Sequence, residues 1–258
     1  MSVQISSVGN SRLAYEESGT GFPVVLLHGL TFSRSTWRPI TERLSDRFRC
    51  IAIDLPGHGE SAGPPHSMED LARNVNALLT SLGIGRPVVV GHSLAGMIAT
   101  FYASRYPVAG VVNVDQPLDV VPFARLLRQL EPELRGPHFL AAFEPFRQSI
   151  GVDLLPEPLR SATTATQTIQ QDLVLGYWEE VLQRSPEELQ EITDEAARSI
   201  TVPYLAVFGR QLSENERDGL HDRLSRLQLE EWPDRGHMVH LMEADRFTNR
   251  IAAFIDRL

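Results

Sequence analysis

Along this chain, short apolar runs alternate with longer stretches in which apolar side chains recur every three to four positions. The runs at 24–27, 50–53, 88–90, 111–114 and 204–208 are nearly continuous and rich in valine and isoleucine, as in strands buried on both faces. Another run, at 227–232, predicts a further strand. Between these, residues 67–82 predict a helix. Leu71, Val75, Leu78 and Leu82 make its stripe, Ser67 with Asp70 suits a capping box, and Gly83 stops it. Such alternation predicts an α/β fold, a mostly parallel twisted sheet flanked by helices.

The rhythm breaks between Pro117 and Ser199. Helical spacing dominates there, with Ile169, Leu173, Tyr177 and Val181 on one face, and Ser185-Pro186-Glu187-Glu188 opens a further helix with serine as its cap. Strand rhythm resumes at Val202. The expected organisation is a core of residues 1–116 and 200–258, with a helical cap at 117–199 laid over one end of the sheet. The cap carries Phe123, Phe139, Phe143, Phe146, Tyr177 and Trp178. Together they predict an apolar pocket, with Phe139, Phe143, Tyr177 and Trp178 as the candidate substrate-binding residues.

Composition narrows the chemistry. A net charge of −9 with no basic stripe argues against nucleic acid as a partner. No run reaches the ~20 apolar residues of a membrane helix. Residues 1–10 lack a charged-then-apolar signal pattern, so a cytoplasmic protein is expected. Cys50 is the single cysteine and cannot close an intrachain disulfide. Every one of the 24 basic residues is arginine. That removes Schiff-base chemistry, a pyridoxal-phosphate anchor and the lysine of a phosphate loop. Neither a His-Glu-x-x-His pattern nor a cysteine cluster suggests a metal, so no metal and no cofactor are expected. The expected partner is a small-molecule substrate. Arg223 and Arg226 read as part of a solvated helix face.

The strongest chemical signal is Gly91-His92-Ser93-Leu94-Ala95-Gly96, directly after the run at 88–90 and opening a helix through Tyr106. A serine on a sharp strand-to-helix turn projects its hydroxyl above the sheet, and small neighbours let strand and helix approach closely. The helix N-terminus that follows offers backbone N–H groups to a developing oxyanion.

At this point the chain resembles the α/β-hydrolase superfamily nearly end to end, in a serine esterase-like form. His28-Gly29-Leu30 resembles that family's oxyanion loop. Asp54-Leu55-Pro56-Gly57-His58-Gly59-Glu60-Ser61 resembles its next turn. Gly236-His237, with a last helix from Glu243, resembles its histidine loop. The resemblance implies Ser93 as nucleophile, His237 as base, and backbone N–H groups of Leu30 and Leu94 as the oxyanion hole. His28 and His58 fit loop-orienting positions and His92 stands beside the nucleophile, while His240 packs under the histidine loop or serves as an alternative base.

For the acid, the sequence departs from the family's commonest pattern. The usual Asp, three residues after Gly209, is replaced by Leu212, which cannot hydrogen-bond an imidazole. Asp115, at the end of the run after the nucleophile helix, is the leading candidate. The site there resembles that of haloalkane dehalogenases and cofactor-free dioxygenases. Glu214 is the second choice, and Asp119 and Asp218 follow. The implied function is hydrolysis of a small hydrophobic or aromatic ester or lactone through an acyl-enzyme. One alternative is a cofactor-independent ring-cleaving dioxygenase using the His237–Asp115 pair as base. Another is a slow-turnover, hydrolase-like ligand receptor. A serine nucleophile argues against dehalogenase and epoxide hydrolase chemistry, which uses Asp.

Overall fold

The computed structural model describes residues 2–65 and 67–258. Among them, eight strands form one sheet: β1 (Val3–Val8), β2 (Ser11–Ser18), β3 (Phe22–Leu27), β4 (Phe48–Ile53), β5 (Val88–His92), β6 (Gly110–Val114), β7 (Tyr204–Phe208) and β8 (Leu227–Glu231). Their spatial order is β1-β2-β4-β3-β5-β6-β7-β8. From β4 to β8 all neighbours are parallel, whereas β1 and β2 add antiparallel strands at one edge. The α/β architecture follows the sequence pattern. The antiparallel edge does not, because Gln4, Ser6 and Ser7 dilute any apolar run there.

The helices are α1 (Arg38–Leu44), α2 (Met68–Ser81), α3 (Leu94–Arg105), α4 (Val121–Leu134), α5 (Phe139–Ile150), α6 (Leu159–Thr164), α7 (Gln171–Gln183), α8 (Pro186–Arg198), α9 (Glu214–Arg223), α10 (Val239–Met242) and α11 (Ala244–Ile255). Strand residues alternate between two cores, as a period of two requires. Val25, Leu27 and Val89 face Leu71, Val75 and Leu78 of α2 and Ile98 of α3. Val24, Leu26 and Val90 face Ile40 of α1 and Phe247, Ile251 and Phe254 of α11. Each fully buried Val, Leu or Phe contributes about 2 kcal/mol of transfer free energy.

Start signals act as expected at α2 and α8. Ser67 Oγ accepts from Asp70 N–H at 3.2 Å, and Ser185 Oγ accepts from Glu188 N–H at 3.1 Å. Asp70 returns its carboxylate to the Ser67 hydroxyl rather than the backbone, so that box is half formed. The reciprocal box lies instead at α9, between Ser213 and Glu216. Arg223 is half-buried, its guanidinium meeting Asp194 at 2.6 Å and tying α9 to α8, whereas Arg226 is exposed in the turn before β8.

Five helices, α4 to α8, occupy the stretch between β6 and β7. Leu127, Phe139, Phe143, Val174 and Trp178 form their own apolar cluster. Helix α7 is fastened to the core: the Tyr177 hydroxyl donates to Pro56 O at 2.9 Å, and Thr168 N–H donates to Thr31 O at 2.8 Å just before it. Among the described residues no helix is long and apolar enough to cross a membrane.

Candidate active site

The site gathers at the carboxyl ends of β5, β6 and β7, where parallel sheets leave a crevice. Ser93 stands between β5 and α3 with φ 54° and ψ −132°. A non-glycine residue in that region costs on the order of 1–3 kcal/mol and persists only where the surroundings impose it. Here Ser93 N–H is held by Val114 O at 2.8 Å, and Ser93 O accepts from Gly96 N–H at 2.6 Å. A Cβ on Gly91 would collide with the Ala95 carbonyl, so strand and helix meet only through glycine. Ala95 stands where the motif commonly has a second glycine, and its methyl is fully buried in the core.

Asp115 follows β6, also with positive φ, at 56°. Its N–H donates to Val207 O, and one carboxylate oxygen, Oδ1, accepts from Gly209 N–H at 2.9 Å. The other, Oδ2, lies 2.7 Å from His237 Nδ1. The His237 loop is itself hung on the end of β7, since Arg235 N–H and Gly236 N–H both donate to Gly209 O. One residue, Gly209, thus steadies both members of the pair. A carboxylate on Nδ1 keeps the proton there and leaves Nε2 free to accept another.

Glu214 is at the exposed start of α9, and Leu212 is buried with its N–H donated to Glu231. Asp119 accepts from Val121 N–H and Asp218 is on exposed α9. Of the four acids weighed from sequence, Asp115 is the one bonded to His237. Leu30 and Leu94 border the same cavity as Ser93 and His237. Leu94 opens α3, where the first-turn N–H groups have no partner within the helix.

That cavity has a volume of about 540 Å³ and is lined mainly by apolar side chains. Phe143, Tyr177 and Trp178 line it. Phe139 does not: it packs into the cluster of α4, α5 and α7, stacked 5.5 Å from Phe143. Tyr177 offers only its ring, since its hydroxyl is spent on Pro56. Phe123, Phe146, Met68, Met97 and Phe101 are also part of the wall, and Met68, Met97 and Phe101 carry no signal in the sequence beyond being apolar positions in core helices. Among the described residues no group of three or more His, Cys, Asp or Glu could hold a metal ion.

Beneath the site lie four buried histidines. His28 accepts Leu55 N–H and His58 accepts Thr31 N–H, so both orient loops. His92 Nε2 donates to His237 O at 2.9 Å. His240 is fully buried, its ring 4.4 Å from that of His92 and 4.6 Å from that of Trp37, with neither nitrogen hydrogen-bonded. Burial pulls His28 down to about 4 and His58 and His240 to about 3, and carries His92 well below its ordinary value.

These groups fold as neutral imidazoles but take up protons near pH 6.5 when unfolded. The unfolded state therefore binds more protons in that range, and stability is lost as pH falls from about 6.5 toward 4, by up to about 1.4 kcal/mol per pH unit for each histidine. Melting temperatures measured between pH 7 and pH 4.5 should fall steeply. A flat profile would show that the imidazoles are not buried neutral.

A family model described as alpha/beta hydrolase family matches residues 24–250. Among curated proteins, 2-(acetamidomethylene)succinate hydrolase of Mesorhizobium japonicum is 37% identical over 112 residues, 42% of this chain and 40% of that protein. Soluble epoxide hydrolase of Corynebacterium sp. is 35% identical over 98 residues, 37% of this chain and 34% of that protein. The matched stretch thus covers well under half the length of these relatives. Among solved structures, a thermophilic esterase from Thermogutta terrifontis is similar over 100% of this chain and 99% of its own, with 25% identity and a TM-score of 0.75. An enol-lactonase from Burkholderia xenovorans LB400 is similar over 98% and 100%, with 21% identity and a TM-score of 0.72.

Proposed function

The chain belongs to the alpha/beta hydrolase family, and on that premise we propose that it cleaves a small hydrophobic or aromatic carboxylic ester or lactone through an acyl-enzyme at Ser93. The observation that carries this reading is the 2.7 Å contact of His237 Nδ1 with Asp115, at the wall of the cavity that also holds Ser93. Ser93 Oγ attacks the carbonyl carbon while His237 Nε2 takes its proton. The C–O bond to the leaving alcohol then breaks, and the imidazolium returns the proton to that alcohol. Asp115 fixes the tautomer and stabilises the cation. The N–H groups of Leu30 and Leu94 hold the oxyanion, each worth about 3 kcal/mol. Water, activated by the same imidazole, releases the acid. The helices at 117–199 serve as the cap over this site, and no cofactor takes part.

The cavity supports an uncharged acyl group. Glu180 is paired with Arg184 and Arg210 with Glu216, which leaves no free cation among the described lining residues. Asp115 beside a neutral imidazole and the exposed Asp119 are the carboxylates of the lining without a cationic partner. A carboxylate on the substrate would meet both with no cation to offset the repulsion. The kcat/KM of p-nitrophenyl butyrate should therefore exceed that of the p-nitrophenyl hemisuccinate by at least about tenfold. Equal values would remove the charge argument.

The reading is tested by mass spectrometry of protein quenched during turnover of p-nitrophenyl butyrate, which should carry a butyryl group on Ser93. The dioxygenase alternative rests on the same His237–Asp115 pair and on the aromatic cavity wall. Oxygen consumption with a hydroxyquinolone and no acyl adduct would favour it. Ligand binding without turnover would favour the receptor alternative.

A further inference from the structure

Residue 113 is an asparagine in the middle of an otherwise apolar strand, Val111-Val112-Asn113-Val114, and it is fully buried. A buried primary amide costs several kcal/mol unless its hydrogen bonds are made. All three bonds that this one makes face the turn holding Asp115 and the elements beside it. Asn113 Oδ1 accepts from Gln116 N–H at 3.1 Å. Its Nδ2 donates to Gln116 O at 2.8 Å and to the Tyr204 hydroxyl at 3.0 Å. The first two bonds close a ring around residues 114 and 115, the turn that carries Asp115 at φ 56°.

The third bond leads elsewhere. The Tyr204 hydroxyl lies 2.8 Å from Thr100 Oγ1, whose own hydroxyl donates to Gly96 O at 2.8 Å. Since the Thr100 hydrogen is used on Gly96, Tyr204 must donate to Thr100 and accept from Asn113. The chain therefore runs in one direction, from the amide on β6 through a phenol on β7 to the first turn of α3, three residues beyond Ser93. Burial pushes the Tyr204 phenol up to about 12, so its proton stays in place at working pH. Chains of this kind polarise one another and hold a single geometry. Sterics add to it: a Cβ on Gly96 would stand 2.6 Å from Asn113 Oδ1 and 2.7 Å from Gln116 Cβ.

We propose that Asn113 is the positioning residue for Asp115, and that the Asn113–Tyr204–Thr100 chain sets the acid turn in register with the nucleophile helix. The strained turn at Asp115 is held by the two Asn113 bonds to Gln116, beside the Ser93 N–H bond to Val114 O and the His237 contact with the carboxylate. Loss of the amide frees the turn so that Asp115 Oδ2 can swing from His237 Nδ1, and of the cavity lining it releases Gln116 directly, so the effect falls more on kcat than on KM. The inference rests on the reading of Asp115 as the group that orients His237.

The test is a double-mutant cycle on p-nitrophenyl butyrate hydrolysis, with Asn113→Ala, Tyr204→Phe and Asp115→Asn singly and in pairs, and thermal melts of each. Asn113→Ala should lower kcat about 100-fold and Tyr204→Phe about tenfold, each with a much smaller change in KM. In the Asp115→Asn background both effects should shrink to less than threefold, because the group they position is already gone. If Asn113→Ala does not fold, the Tyr204→Phe pair alone completes a cycle. Additive losses in the Asp115→Asn background, or an unchanged kcat in both single variants, would overturn the proposal. Full activity of Asp115→Asn by itself would instead overturn the reading of Asp115 on which it rests.

Discussion

Replacing Ser93 with alanine is expected to lower kcat for p-nitrophenyl butyrate by about 10⁶, the scale at which loss of a serine nucleophile disables a hydrolase of this type. The hydroxyl oxygen is the one heavy atom removed. The variant still has the positive φ at residue 93, so the strain persists and the fold gains nothing from relaxed backbone. Melting temperature should therefore change little. Binding of a non-hydrolysable ester analogue should persist, because the apolar wall of Phe143, Phe146 and Trp178 is intact. Acyl-adduct formation is the sharper readout, since background hydrolysis does not contribute to it. A Ser93→Ala protein that still hydrolyses the ester at the wild-type rate would remove the acyl-enzyme from the mechanism altogether.

Asp115→Asn should cost about 10⁴ in kcat, by a route the geometry makes explicit. Gly209 N–H demands an acceptor at Oδ1, so the amide oxygen of the variant takes that position and its NH₂ group faces His237 Nδ1. An NH₂ donor there forces the proton of the imidazole onto Nε2. Nε2 then has no lone pair to receive the Ser93 proton. The shape of the site is unchanged, so KM and melting temperature stay near wild type while kcat collapses. Glu214→Gln, on the exposed start of α9, should leave kcat within twofold. Activity that survives Asp115→Asn but not Glu214→Gln would reverse the assignment and require the α9 loop to move toward His237 during turnover.

The two variants fail differently. Ser93→Ala abolishes the covalent intermediate, whereas Asp115→Asn slows its formation and leaves the adduct detectable at long times.

Much of this molecule is legible from local pattern. Five of the parallel strands are buried on both faces, so their sequences are apolar almost without interruption, and helix α2 announces itself through its stripe and its Ser67 cap. The turn at Ser93 is legible for a related reason: strand, glycine and helix N-terminus are consecutive in the chain. His237 and its preceding glycine are local as well. Short-range chemistry dictates all of these, so a reader of the sequence meets them side by side.

Other features depend on residues far apart in the chain. Whether Asp115 or Glu214 reaches His237 is decided by Gly209, whose N–H anchors the carboxylate and whose carbonyl anchors the histidine loop. Phe139 and Phe143 are four apart on one face of α5 and both pack into the helix cluster, yet of the two Phe143 borders the cavity, because it stands one turn further along the helix. The β1–β2 edge escapes the pattern because its strands are half polar and gain their place by pairing with β4. Asn113 reads as a flaw in an apolar strand until Tyr204 and Thr100 are brought beside it. Local patterning dictates the parallel core and the residues its turns display. Which of those residues meet was decided by tertiary structure, since hydrogen bonds and packing between distant segments depend on where three strand ends are placed in space.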